Sequence, residues 1–124
     1  MSSILVIEDN ATNMKLAAVI LDSSGYTVLE SSDARQGIDL AREHQPDLIL
    51  MDIQLPGIDG LTATRMLKQD PLTKHIKIIA LTAFAMKGDE ERILAAGCDA
   101  YIPKPLRHKE FLETIGQVLE SSVR

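Results

Sequence analysis

Two short apolar runs in this chain each end in acidic residues. Residues 4–7 lead directly into Glu8 and Asp9, and residues 48–51 lead into Asp52. Carboxylates that share a small space repel one another, so a positive charge must offset them at neutral pH. A hard divalent cation with oxygen ligands does this, and Mg²⁺ is the natural candidate. An aspartate carboxylate is also a nucleophile that can attack phosphorus and form an aspartyl phosphate.

Two later residues extend this chemistry. Thr82 and Lys104 also follow apolar runs. A lysine supplies a mobile positive point charge that suits an anion such as phosphate, and a threonine hydroxyl can donate a hydrogen bond to a phosphoryl oxygen. Together with a cation, Lys104 would stabilise the charge on a phosphoryl group that is moving onto Asp52.

Each of these residues also has an ordinary structural explanation. Asp52 could simply start a turn, and the acidic pair at positions 8–9 could favour a helix N-terminus through the helix dipole. Thr82 could be an ordinary strand-end residue, and Lys104 an ordinary solvated lysine. The coincidence of an acidic pair, a lone aspartate, a threonine and a Lys-Pro pair at the ends of core strands favours the chemical interpretation.

The elements that must position these residues alternate along the chain. The predicted strands cover residues 4–7, 26–30, 48–52, 77–81 and 100–102, and the predicted helices cover 11–23, 34–44, 60–69, 86–96 and 107–120. Such alternation is typical of an α/β doubly wound parallel sheet. We expect one flavodoxin-like (βα)5 domain over residues 1–124 with strand order 2-1-3-4-5, which places the first and third strands together at the switch point where ligands bind.

The helix patterns also predict which side chains are buried. In the third helix we expect Ala63, Met66 and Leu67 to face the core. The fourth helix is the weakest, because Gly88 costs about 1 kcal/mol relative to alanine and its first half is mostly charged.

Composition narrows the class of protein. The chain is 45% hydrophobic but 3% aromatic, so its core must be aliphatic. A net charge of -5 without a Lys/Arg cluster argues against direct nucleic-acid binding. The single cysteine, Cys98, fits a reducing compartment. No apolar run reaches membrane-spanning length and no signal-peptide pattern precedes Ile4, so we expect a cytoplasmic protein without membrane insertion. The three histidines have no metal-ligand spacing, and we expect them at the surface.

Five motifs resemble those of the response-regulator receiver domain, the CheY-like family of two-component signalling. They are VIEDN (6–10), DLILMD (47–52), LPGIDG (55–60), LTA (81–83) and YIPKP (101–105). The resemblance extends from residue 4 to about residue 119. Within the family, segments 13–16, 51–56 and 84–93 are most similar to stand-alone regulators of bacterial cell-cycle control.

The resemblance implies a role for each acidic residue. Asp52 would accept a phosphoryl group from a phosphohistidine on a histidine kinase or a histidine phosphotransfer protein, and a phosphatase partner could remove it. Mg²⁺ would be held by Asp9, Asp52 and the backbone carbonyl of Gln54, with Glu8 acting through water. Self-catalysed transfer onto Asp52 and hydrolysis from it would be the only chemistry, so we expect no enzyme in the usual sense.

The resemblance also implies a switch. Lys104 would contact the phosphoryl group and form a cis peptide with Pro105. Thr82 would move toward the phosphoryl group as Tyr101 turns inward, which would alter the surface formed by the last two helices and the strand between them. Because the chain ends soon after the fifth helix, we expect a bound downstream protein effector to carry the output.

Gln54 and Phe84 flank the path of the hydrolysing water in this family. A bulky apolar Phe84 should screen that water, so we expect slow self-dephosphorylation. Two alternatives remain. A small phosphatase with an aspartate nucleophile would need a second aspartate where this chain has Gln54, and a degenerate receiver would act as a constitutive interaction domain without phosphorylation.

Overall fold

The strands of this protein form one parallel sheet. We describe a computed structural model over residues 2–83 and 87–121. The strands are β1 (Ser3–Ile7), β2 (Thr27–Ser31), β3 (Leu48–Asp52), β4 (Lys77–Thr82) and β5 (Ala100–Pro103), and the helices are α1 (Ala11–Ser23), α2 (Ala34–His44), α3 (Gly60–Gln69), α4 (Lys87–Ala95) and α5 (His108–Ser121). The strand order is β2-β1-β3-β4-β5 and every pairing is parallel. The predicted flavodoxin-like topology is confirmed, with element ends shifted by one residue in several places.

The sheet separates two apolar layers. All five residues of the central strand β3 are buried, which explains its unbroken apolar sequence. Because successive side chains alternate between faces, Leu48 and Leu50 join the layer beneath α1 and α5. Ile49 and Met51 join the layer beneath α2, α3 and α4. The core is therefore largely aliphatic, as the composition predicted, with Phe111 of α5 as a fully buried aromatic side chain in the layer beneath α1 and α5.

Three helices begin with a side-chain cap at the carboxyl edge of the sheet. The caps are Asn10, Asp33 and Asp59, and each side chain accepts a hydrogen bond from the backbone N–H three residues later. A cap of this type stabilises a helix by about 1 kcal/mol. The caps therefore fix the points where α1, α2 and α3 start, immediately beside the ends of β1, β2 and β3.

The prediction that Met66 faces the core is wrong. Met66 is 41% exposed, whereas Leu61, Thr64 and Leu67 are buried. The inner face of α3 follows positions 60, 63, 64 and 67, which is one stripe at helical spacing. Met66 lies beside that stripe and borders a small pocket between α2 and α3.

The remaining isolated residues lie where the sequence predicted. His44, His75 and His108 are exposed. Cys98 is buried, and burial raises the pKa of its thiol. It packs beside Thr64, with Sγ 3.8 Å from Oγ1. Within residues 2–83 and 87–121, no helix combines the length and apolar composition needed to cross a bilayer.

A glycine on α2 allows that helix to approach the end of β1. A Cβ added at Gly37 would overlap the side chain of Ile7, which is fully buried. We expect Gly37→Ala to lower the free energy of unfolding by about 1 to 3 kcal/mol, because a packed core resists extra volume. Urea denaturation would measure it.

Gly116→Ala on α5 is the matched control for this substitution. A Cβ at Gly116 meets nothing within 4 Å. The control should be neutral or stabilise the protein by up to about 1 kcal/mol, because alanine favours a helix more than glycine does. Equal unfolding midpoints for the two variants would contradict the packing argument.

Candidate functional site

The predicted acidic residues meet at the carboxyl edge of β1 and β3. These strands are neighbours, with Ile7 paired to Met51, so the residues that follow them are brought together. Carboxylate oxygens of Glu8, Asp9 and Asp52 all lie within 4.8 Å of one another. Glu8 and Asp52 are 2% exposed, whereas Asp9 is exposed at the rim. The sheet therefore builds one acidic pocket from residues far apart in sequence.

Backbone hydrogen bonds orient Asp52 in this pocket. The Gln54 N–H donates to Asp52 Oδ1 at 2.9 Å. The Ile53 N–H donates to the Leu81 carbonyl at 3.2 Å, which continues the pairing of β3 with β4 beyond the strand end. Gln54 itself is exposed in the loop before α3. Its backbone carbonyl as a metal ligand stays a prediction.

Glu8 carries a buried oxygen of unusual environment. Its Oε2 accepts a hydrogen bond from the Asn10 N–H at 3.3 Å. Its Oε1 is buried and has no hydrogen bond of ordinary geometry among the described residues. The Lys104 ammonium lies 3.0 Å from Oε1 as an ion pair. The ammonium therefore compensates the charge at this buried oxygen.

Lys104 reaches the pocket from the loop after β5. Its Nζ lies 3.0 Å from Glu8 Oε1 and 3.3 Å from Asp52 Oδ2. Its backbone N–H donates to the Thr82 carbonyl at 2.7 Å, which ties the loop to the end of β4. The peptide bond between Lys104 and Pro105 is cis, as the resemblance implied. The lysine is therefore held by its own backbone beside two buried carboxylates.

The two buried carboxyl groups titrate differently. Burial, with Asp52 close by, raises the pKa of Glu8 from 4.5 to about 7. Burial alone would also raise the pKa of Asp52, but hydrogen bonds from Glu8 and the Gln54 N–H and the charge of Lys104 lower it below its ordinary value. Near neutral pH Glu8 is therefore partly protonated, whereas Asp52 is ionised.

The contacts with Glu8 and Asp52 also stabilise the charged form of Lys104. Burial alone would lower the pKa of Lys104, but the adjacent Glu8 and Asp52 outweigh that effect and raise it. The ammonium is therefore a permanent positive charge at physiological pH.

Glu8 predicts a pH dependence for the metal-free protein. Its pKa of about 7 in the folded state exceeds its ordinary value of 4.5, so between these values the folded protein holds the proton more tightly than the unfolded chain. Stability should therefore fall as pH rises across this window, by up to about 3 kcal/mol. The lowered pKa of Asp52 contributes stability already present above its ordinary value of 3.8, so it does not oppose this slope.

Glu8→Gln should lack this slope. Urea denaturation of both proteins in EDTA at pH 5 and pH 8 measures the difference, since glutamine does not titrate. Wild-type and variant proteins with the same pH dependence would show that Glu8 does not carry a raised pKa.

The predicted switch residues share one face of the sheet. Thr82 is buried at the end of β4, opposite Pro103. By strand alternation it lies on the side of Ile78 and Ala80, which belong to the layer under α4. Tyr101 is half-buried and packs against the same layer. The structure places both residues beside α4, and their roles as a switch pair stay predictions.

One predicted site residue lies outside the described residues, and one residue that contacts the site was not predicted. Phe84 lies outside the described residues. From the sequence, Gly60 was predicted only to start the third helix, although a Cβ there would overlap the carbonyl oxygen of Asp52. The available signal was an Asp-Gly pair at a helix start, which does not reveal a contact with a strand.

The pocket fits a hard divalent cation. Its donors are three carboxylates whose oxygens lie within 4.8 Å of one another. Oxygen donors of this kind suit Mg²⁺ and not softer metals. Asp9, Asp52 and Glu8 could hold the ion, and the permanent charge of Lys104 would remain available for an anion.

The fold and the pocket together define a flavodoxin-like α/β domain with an acidic site at its switch point that could hold a cation. The model for the response regulator receiver domain matches residues 4–116. This chain therefore belongs to the response regulator receiver domains of two-component systems, which confirms the resemblance found in the sequence motifs.

Relatives in sequence and structure agree with this assignment. The chain is 53% identical over 117 residues to the polar-differentiation response regulator DivK of Brucella anthropi. The matched region covers 94% of this chain and 95% of the relative. This identity confirms the closer resemblance predicted within the family.

Two solved structures are similar in fold. One is the receiver domain of the Pseudomonas aeruginosa sensor histidine kinase PA1611, with a magnesium ion coordinated in its active-site cleft. It is 36% identical with a TM-score of 0.89, and the match covers 96% of this chain and 98% of that one. The chemotaxis protein CheY4 of Vibrio cholerae is 22% identical with a TM-score of 0.90 over 95% and 98% of the two chains, and supports the fold.

Proposed function

We propose that this protein is a phosphoryl-controlled binding module. It accepts a phosphoryl group onto Asp52 from a phosphohistidine of a histidine kinase or histidine phosphotransfer protein. The observation that carries this proposal is the buried Asp52 carboxylate, 3.3 Å from the Lys104 ammonium and clustered with Glu8 and Asp9. A buried, ionised carboxylate beside a fixed cation is arranged to attack an anionic phosphoryl group. Such an attack depends on charge compensation more than on acid–base catalysis.

The transfer uses the residues as the structure arranges them. An oxygen of Asp52 attacks phosphorus, and the bond between phosphorus and the donor imidazole nitrogen breaks, with the electron pair remaining on that nitrogen. Lys104 then pairs with the phosphoryl oxygens in place of the Asp52 carboxylate. Bound Mg²⁺ supplies further charge stabilisation to those oxygens. Glu8, Asp9 and Asp52 would hold the ion, with the Gln54 carbonyl as a further ligand.

Phosphorylation changes the face beside α4. The phosphoryl group adds nearly two negative charges and three acceptor oxygens. A Thr82 hydroxyl that turns toward them is favoured, and Tyr101 packs inward on the same face. The ligand biases two arrangements of the surface formed by α4, β5 and α5. A downstream protein effector bound to that surface carries the output.

The protein acts stoichiometrically, and not as a turnover enzyme. A phosphatase with an aspartate nucleophile would need an acid two residues after Asp52, and that position is Gln54. An assay with a generic phosphate ester such as p-nitrophenyl phosphate tests this directly. Steady release of nitrophenol in proportion to protein concentration would favour the phosphatase.

Incubation with acetyl phosphate and Mg²⁺ tests the proposal itself. The expected result is a mass increase of one phosphoryl group per chain in intact mass spectrometry, abolished by EDTA. No mass increase at any Mg²⁺ concentration would instead favour a degenerate receiver that works as a constitutive interaction domain.

Membership of the family supports the proposed partners and place of action. The likeness to DivK, which is named for polar differentiation, supports a cytoplasmic role in cell-cycle control. A kinase or phosphatase sets the phosphorylated fraction, and the effector reads it. Because the net charge is -5, the effector is a protein and not a nucleic acid.

Phe84→Glu should shorten the lifetime of the phosphorylated protein. If Phe84 screens the hydrolysing water, as the family resemblance implies, a carboxylate in its place should make the loss of the phosphoryl group about 10-fold faster. Decay of the phosphorylated mass after removal of acetyl phosphate measures the half-life, with Phe84→Leu as the apolar control. Equal half-lives for the glutamate and leucine variants would contradict the screening role.

A further inference from the structure

The first turn of α3 lies directly on the backbone of Asp52. A Cβ added at Gly60 would overlap the carbonyl oxygen of Asp52 and the Cα of Ile53. These are main-chain atoms at the end of β3, where Asp52 pairs with Leu81 of β4 and the Ile53 N–H donates to the Leu81 carbonyl, so they cannot move aside as a flexible side chain could. Only glycine therefore permits this approach of the helix to the strand.

One hydrogen bond crosses this contact, and a second, within α3, fixes the backbone of Gly60. The Gly60 N–H donates to the Ile53 carbonyl at 3.3 Å. The hydroxyl of Thr64, which is fully buried, donates to the Gly60 carbonyl at 2.8 Å. Both polar groups of the Gly60 backbone are thus engaged, one by the loop after β3 and one by the next turn of α3.

The same contact supports the atoms of the proposed site. Residues 52–54 carry the Asp52 carboxylate and the Gln54 N–H that donates to it at 2.9 Å. A helix pushed outward at Gly60 would shift this segment relative to Glu8 and Asp9, which belong to a different strand end. Mg²⁺ demands nearly ideal octahedral geometry, so it tolerates such a shift poorly.

We propose that Gly60, supported by the Thr64 hydroxyl, is a positioning residue for the metal site. Neither residue touches the ion or the phosphoryl group. They set the distance between α3 and the backbone of residues 52–54. That distance in turn sets how far Asp52 lies from Glu8 and Asp9. This inference rests on the proposed function, because it assumes that Mg²⁺ binds at these carboxylates.

Mg²⁺ affinity measured by isothermal titration calorimetry on the folded full chain tests this role. We expect Gly60→Ala to weaken binding at least about 10-fold, as loss of a group that orients metal ligands does. Gly116→Ala is the matched control, because a Cβ there meets nothing within 4 Å, and its affinity should equal that of the wild type. Equal affinity of the Gly60→Ala protein and the wild type would overturn the proposal.

A second pair of variants applies if Gly60→Ala does not fold. Thr64→Val keeps the shape but loses the hydroxyl, and Thr64→Ser keeps the hydroxyl but loses a methyl group. We expect weaker Mg²⁺ binding in the valine variant and wild-type affinity in the serine variant, even where serine lowers the unfolding midpoint. Affinities that follow the unfolding midpoints and ignore the hydroxyl would overturn the role of Thr64 and leave Gly60 a purely structural residue.

The wild-type titration separates this proposal from the one on which it rests. If the wild type binds no Mg²⁺, the proposed function fails and the positioning role fails with it. If the wild type binds Mg²⁺ and is labelled by acetyl phosphate while Gly60→Ala binds equally well, only the positioning role fails.

Discussion

Asp52→Asn is expected to abolish phosphorylation by acetyl phosphate and Mg²⁺. The amide is nearly the same shape as the carboxylate but offers no anionic oxygen to attack phosphorus. Asp52 is also the member of the buried pair whose pKa is lowered, so it is the carboxyl that stays ionised at neutral pH. Intact mass spectrometry after incubation would detect no mass increase in the variant.

The control replaces a carboxylate outside the site. Asp39→Asn on α2 removes an exposed carboxylate and should leave labelling unchanged. Asp9→Asn keeps the nucleophile but removes a proposed metal ligand, so its labelling should recover as Mg²⁺ is raised. Undiminished labelling of Asp52→Asn would move the phosphorylation site to another residue.

Lys104→Gln should slow phosphorylation about 100-fold, as removal of one preorganised charge-stabilising donor typically does. The Nζ of Lys104 lies 3.0 Å from Glu8 and 3.3 Å from Asp52, so it already occupies the position where phosphoryl charge would develop. Its side chain is 17% exposed, which limits screening by water. The initial rate of labelling at fixed acetyl phosphate and saturating Mg²⁺ measures the effect.

Two further lysine variants make this prediction specific. Lys109→Gln removes an exposed lysine of α5 and should label at the wild-type rate. Lys104→Arg keeps the charge but replaces the compact ammonium by a planar guanidinium, so it should restore only part of the rate. A Lys104→Gln protein that labels as fast as the wild type would exclude Lys104 from the transfer.

Much of the fold was predictable because its signals are local. An unbroken run such as Leu48–Met51 has no polar face, so it suits a strand buried on both sides. Caps at Asn10 and Asp33 mark helix starts through side-chain hydrogen bonds to nearby backbone, which depend on neighbours in sequence alone. The candidate site was also predictable from residue types. Carboxylates, a threonine and a lysine follow core strands whose carboxyl ends meet at one edge of the sheet.

The tertiary structure decided what depends on distances between separate elements. Met66 is exposed because the crossing of α3 over the sheet selects a neighbouring stripe, which helical spacing alone does not specify. The need for glycine at position 60 arises only where α3 meets the backbone of β3. The opposite pKa shifts of Glu8 and Asp52, and the pairing of both with Lys104, likewise arise only where the ends of three strands meet. Sequence therefore determined which groups are present and where each strand ends, whereas packing determined their separations, their burial and thus their charge states.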